Sequence, residues 1–291
     1  MRILQRLKQI PTLKKDGALA LTLSLLAGLA AFIIGFAVFF PDTVLQRKVQ
    51  YEINRNFPGE VRTNNISYRF PLTLAADDVL VVTNDRSIPE FRFETVRISP
   101  HLASLIGSPG ICFTAIAGEG IIKGTFLREG EFDIEIANYS FDEPVQGFSD
   151  LRLNGKIAAA RIESHLQPSP DTNSTFSLQA ADLSLDGTAS TGLSVDRIKL
   201  GQLTLEMSGI GRNFSFDKAR LAGGEIQAEA TGRVVAGQTA RSTRINIDLS
   251  IKPAGNLDSS VASLLEIIGS PAANGSRKLN ISGTLSRPQV K

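Results

Sequence analysis

Apolar and polar residues alternate with period two along most of the chain from Gly59 onward. FRFETVRIS sets Phe91, Phe93, Val96 and Ile98 against polar neighbours, and EFDIEIA does the same with Phe132, Ile134 and Ile136. Further runs carry Leu151, Leu153, Ile157 and Ala159; Phe176, Leu178, Leu183 and Leu185; and Ile198, Leu200, Leu203, Leu205 and Met207. Three more follow: Ile226, Ala228, Ala230 and Val234; Ile245, Ile247, Leu249 and Ile251; and Leu279, Ile281, Gly283 and Leu285. Successive strand side chains point to opposite faces, so the pattern predicts strands with one apolar and one wet face. Turn residues such as Glu129-Gly130, Asp186-Gly187 and Gly223-Gly224 separate the runs. Connections this short favour antiparallel hairpins. A polar stretch near 166–175 either divides the sheet into two halves or serves as a long turn.

The period changes at four places. Residues 17–40 carry no charge at all, and roughly 20 such residues span a bilayer as a helix. The run ends Val38-Phe39-Phe40-Pro41, a poor match to the small residues at a signal-peptide cleavage site, so an uncleaved anchor is expected. Residues 41–58 place Leu45, Val49, Ile53 and Phe57 four apart, with Asp42 as cap and Pro58 as stop; this is an amphipathic juxtamembrane helix. Ser99-Pro100 reads as the start of a short helix over HLASLIG. Asp258 caps a second, with Val261, Leu264, Leu265 and Ile268 on one face and Gly269 and Pro271 ending it.

Charge fixes the orientation. Arg2, Arg6, Lys8, Lys14 and Lys15 stand against Asp16 alone in residues 1–16. The positive-inside rule leaves this tail in the cytoplasm and sends residues 41–291 across the membrane. The chain carries +2 overall and +4 in its first 16 residues, leaving −2 beyond them. That balance argues against nucleic acid as a partner. Cys112 is the single cysteine, so no disulfide framework exists. His101 and His165 have no second His or Cys at metal-ligand spacing. Neither a nucleophile elbow nor a phosphate loop occurs. Asp133 and Glu135 alternate with apolar residues and so belong to a wet strand face. The sequence therefore points to no enzyme, no catalytic or metal residues and no cofactor.

The expected architecture is mainly β. A single N-terminal transmembrane helix leads into a curled antiparallel sheet, a half-barrel or groove, with two or three short helices over 59–291. Curling answers a physical problem: one long meander has an apolar face that something must cover.

This layout resembles a known family. An anchor and an amphipathic helix precede VRTNNISYRFPLTLAADDVLVV, then VRISPHLASLIGSPGICFTAIAGEGIIKGTF, and finally LNISGTLSRPQ from Leu279 to Gln289. Together they resemble the type II secretion system protein N (GspN) family, and more distantly the AsmA-like and TamB-like envelope proteins. The resemblance implies a non-enzymatic inner-membrane component with its bulk in the periplasm. Its partners would be other type II secretion components, the inner-membrane platform and the secretin among them, with membrane lipid around the anchor. The alternative is AsmA-like lipid binding or transfer in the envelope. Candidate partner-contact residues are Leu279, Ile281 and Leu285, expected on a last edge strand, and Leu45, Val49 and Ile53 on the juxtamembrane stripe. Core packing is the competing role for each.

Overall fold

The computed structural model describes residues 47–291, apart from 53–54, 56–58, 70–71, 84–89, 102–106, 146–147, 273–274 and the single positions 149, 238, 240, 256 and 268. The expected anchor at 17–40 lies outside the described residues. Among those residues no helix is long and apolar enough to cross a membrane. Of the juxtamembrane segment, residues 47–52 are helical, with Lys48 and Glu52 paired one turn apart at 3.0 Å.

Sixteen antiparallel strands form one open sheet. In chain order they are β1 (Gly59–Arg62), β2 (Asn65–Arg69), β3 (Thr73–Thr83), β4 (Phe91–Pro100), β5 (Gly110–Ala117), β6 (Gly120–Leu127), β7 (Glu131–Pro144) and β8 (Arg152–His165). They continue as β9 (Asn173–Asp186), β10 (Arg197–Ile210), β11 (Asn213–Gly223), β12 (Ile226–Val235), β13 (Arg244–Pro253), β14 (Ser270–Pro271), β15 (Arg277–Thr284) and β16 (Arg287–Val290). From β3 to β13 each strand pairs with the next in sequence. The polar stretch near 166–175 is the β8–β9 connection, and the sheet runs on across it. β1 and β2 share the outer edge of β3, while β14 and β16 share the far edge of β15.

The breaks in the alternation have a structural cause. The apolar sets of β4, β7, β8, β9, β10 and β11 each skip one residue partway along. At those levels the strands carry an extra residue. Asp78, Asn138 and Asp182 adopt positive φ of 55°, 56° and 54°, and Gly201 lies at 83°. Register shifts sit in β8–β9, β9–β10, β10–β11 and β11–β12. An inserted residue at left-handed φ keeps the apolar side chains on one face past the break and bends the strand. Asn and Asp are the non-glycine residues that tolerate this conformation best. The bulges form a crease crossing much of the sheet. They also correct one sequence expectation. In β8 the inward set is Leu153, Ile157, Ala160 and Ile162, whereas Ala159 pairs with Gln179 on the exposed side.

Helix α1 (Ser259–Ile267) forms where expected. The Asp258 carboxylate accepts the Ser260 N–H at 2.8 Å, satisfying a donor that the helix leaves free. Gly269 ends it at φ 73°. The other expected helix start is corrected: Ser99 and Pro100 belong to β4 and pair with Cys112 and Ile111. The alternation of FRFETVRIS carries through them, and Pro100 lies beyond the last β3–β4 pair at Ile98, so its missing N–H removes no ladder bond on that side. Residues 102–106 of that helix lie outside the described residues.

Candidate functional site: the apolar face of the sheet

Cross-strand register places the apolar residues in continuous rows. One runs Ile98–Phe113–Gly124–Ile134–Ile162–Phe176–Met207–Phe216 from β4 to β11. Gly124 makes room in it, because a Cβ there would run into the Phe113 ring. Phe113, Phe126 and Phe132 form a ring ladder with centroids 5.8 and 5.9 Å apart, spacings that favour aromatic contact. The row continues across the far strands as Ile247 and Ile281 beside Leu249 and Leu279.

The opposite face is polar. Arg161 pairs with Asp133 at 2.8 Å, with Glu163, and more loosely with Glu135 at 3.7 Å. Its pKa is raised, first by the Asp133 hydrogen bond and then by the surrounding carboxylate charge. Asp133 and Glu135 are therefore engaged with a guanidinium rather than merely solvated. Sequence alternation showed their face but not this partner. Lys218–Glu206 and Arg220–Glu229 continue the pattern at 3.7 Å each.

The apolar face is covered unevenly. Thirteen apolar side chains are buried among the described residues, none of them Phe. Val261 and Leu265 of α1 are among them, as is Leu279, whose side chain lies against Gly269 at the end of the helix. The β9–β10 connection holds α1 in place. Ser194 Oγ donates to the Asp258 carboxylate at 2.7 Å, and the Ser194 N–H donates to Ser260 Oγ at 3.1 Å. Hydrogen bonds from Ser194 and Ser260 keep the Asp258 carboxyl below its usual range. Away from α1 the rings of Phe113, Phe126, Phe132, Phe176, Phe214 and Phe216 are only half-buried. A sheet with one apolar face normally buries it against a second layer; over this stretch the described residues supply none.

Leu279, Ile281 and Leu285 do not form one surface. Leu279 is buried, packed under Gly269. Ile281 is half-buried between Ile247 and Val290. Leu285 is exposed in the β15–β16 turn, where its N–H donates to the Thr243 carbonyl at 2.9 Å. The expectation of an edge strand at 279–285 is corrected. Residues 287–290 fold back as β16, and Asn280 and Lys291 exchange backbone hydrogen bonds at 3.0 and 2.9 Å. Pro288 pairs opposite Gly283 and shields β15 rather than ending it. Val49 is half-buried on the 47–52 helix; Leu45 and Ile53 lie outside the described residues.

No group of three metal-ligating side chains exists among the described residues. His165 Nδ1 accepts the Gln167 N–H at 3.1 Å. Cys112 Sγ lies 3.6 Å from Thr125 Oγ1. No protein-family model matches the chain, and no curated protein and no solved structure matches it.

Proposed function

We propose that this chain is a non-enzymatic component of the type II secretion system, anchored in the inner membrane by residues 17–40 with its sheet in the periplasm. It works by contact: the sheet offers backbone edges and an apolar face to other secretion components, the inner-membrane platform or the secretin. The sequence layout from the anchor to LNISGTLSRPQ supports the secretion role. The observation that carries the contact mechanism is the apolar face with its half-buried phenylalanines. A buried core serves the fold, whereas an uncovered one is available to a partner.

The same face favours a second reading, a curled groove that holds lipid in the manner of AsmA-like proteins. A ring ladder on a continuous aliphatic row suits an acyl chain as well as a protein segment. A clean deletion of the gene separates the two. Secretion failure of specific exported proteins, with an intact barrier to large antibiotics, is the expected result. A leaky outer membrane with normal secretion would overturn the secretion reading in favour of lipid handling.

A further inference from the structure

The sheet has a notch on one side of its crease. β5 pairs with β4 only at Thr95 to Pro100, and β6 pairs with β7 only from Phe132 to Ala137. The β5–β6 hairpin turns at Gly118 and Glu119 and stops there. Beyond its tip, residues 91–93 of β4 pair only with β3, and residues 139–144 of β7 only with β8, among the described residues. Each strand therefore presents a free edge facing the other across the missing continuation of β5 and β6. Alternate residues of such an edge aim both N–H and C=O outward, and these groups need partners. Where β5 and β6 are present, two strands fill the interval between β4 and β7, three interstrand spacings or about 14 Å. The inward side chains along it are apolar or aromatic: Phe91 and Phe93, stacked at 6.5 Å, on one flank, and Tyr139 and Phe141 on the other. Burial raises the Tyr139 pKa, with the Glu143 charge adding to the effect.

We propose that a β-hairpin of a partner protein enters this notch and completes the sheet. The inference rests on the contact mechanism above and moves its site from β15, which β16 already covers, to the gap between β4 and β7. Backbone pairing selects extended chain, and the width selects two strands rather than one. The inner flanks select apolar residues at every second position of each incoming strand. The direction of the flanking strands fixes the polarity. Antiparallel pairing on both sides requires the first strand of the hairpin to lie beside β7 and the second beside β4, with its tip against Gly118.

The test places a photo-crosslinking amino acid at Arg92 or Ser140, both exposed on the two flanks, in the full chain within producing cells. The same group at Ser177, exposed on a strand paired on both sides, is the control. Crosslinked peptides are sequenced by mass spectrometry. The expected result is one partner captured from both flanks, with the Ser140 crosslink N-terminal and the Arg92 crosslink C-terminal to one turn. Crosslinks confined to residues 84–90 of the same chain, or no yield above Ser177, would overturn the proposal. So would different partners on the two flanks, or the reverse order. A hairpin supplied by a protein outside the secretion machinery would leave the notch assignment standing. The deletion experiment tests the secretion role separately.

Discussion

Asn138 gives the sharpest test of how the sheet keeps its apolar residues on one face. It sits in β7 at φ 56° with its side chain exposed, so a substitution there changes backbone preference and little packing. An ordinary L-residue in the left-handed region costs about 1–2 kcal/mol, and Asn pays less through local hydrogen bonding. Asn138→Ala should therefore destabilise by about 1 kcal/mol. Asn138→Val should cost about 2 kcal/mol, because a β-branched residue is a true outlier there. Asn138→Gly should be near neutral, its freedom at positive φ offset by the roughly 0.5–1 kcal/mol of extra chain entropy it loses. Asp78 and Asp182 occupy the same conformation in β3 and β9, neither of which pairs with β7. Distant sites add. Changing all three to Val should then cost about 4–6 kcal/mol, comparable with the whole stability of many domains. Urea unfolding of the full chain in detergent, followed by far-UV circular dichroism, measures the series. The reasoning fails if Val is no worse than Ala at 138, or if Gly is the most damaging of the three.

Three further outcomes follow from the packing. The Asp258 pKa is depressed in the folded chain by Ser194 and Ser260, so its contribution is complete above the ordinary carboxylate pKa of about 3.9 and disappears as pH falls through the lowered value. Protection of the amides over residues 259–267, taken as the exchange rate relative to that of the unfolded peptide at the same pH, should fall on acidification below that range, and Asp258→Asn should flatten the dependence. Leu265 is 8% exposed; Leu265→Ala should cost about 2–3 kcal/mol and raise exchange in α1 before the central strands, which denaturant-dependent exchange would resolve. Removing residues 287–291 strips β16 from β15 and leaves a bare edge, so that variant should self-associate in light scattering while the full chain in the same detergent does not.

Much of this architecture is written in period alone. Alternation in EFDIEIA or RINIDLSIK specifies a strand and its two faces, because side-chain direction along an extended backbone is a local property. The α1 helix was equally legible: Asp258, the Val261 and Leu265 stripe and Gly269 act within a few residues of one another. The face of Asp133 and Glu135 could be read this way too, but their Arg161 partner could not, since it stands 28 positions from Asp133. The one-residue breaks in the alternation are visible in the sequence. That they align into a crease depends on register between strands far apart in the chain. Leu279, Ile281 and Leu285 show the same boundary. Their alternation marks a strand, but whether that strand is an edge depends on residues 287–290 turning back onto it. The notch follows from strand length: β5 and β6 are eight residues each beside β7 at fourteen. The sequence thus determined which residues are strand, which face is apolar and where α1 begins. Tertiary structure decided which edges are covered and which remain free, because edge pairing is satisfied between segments whose separation no local pattern records.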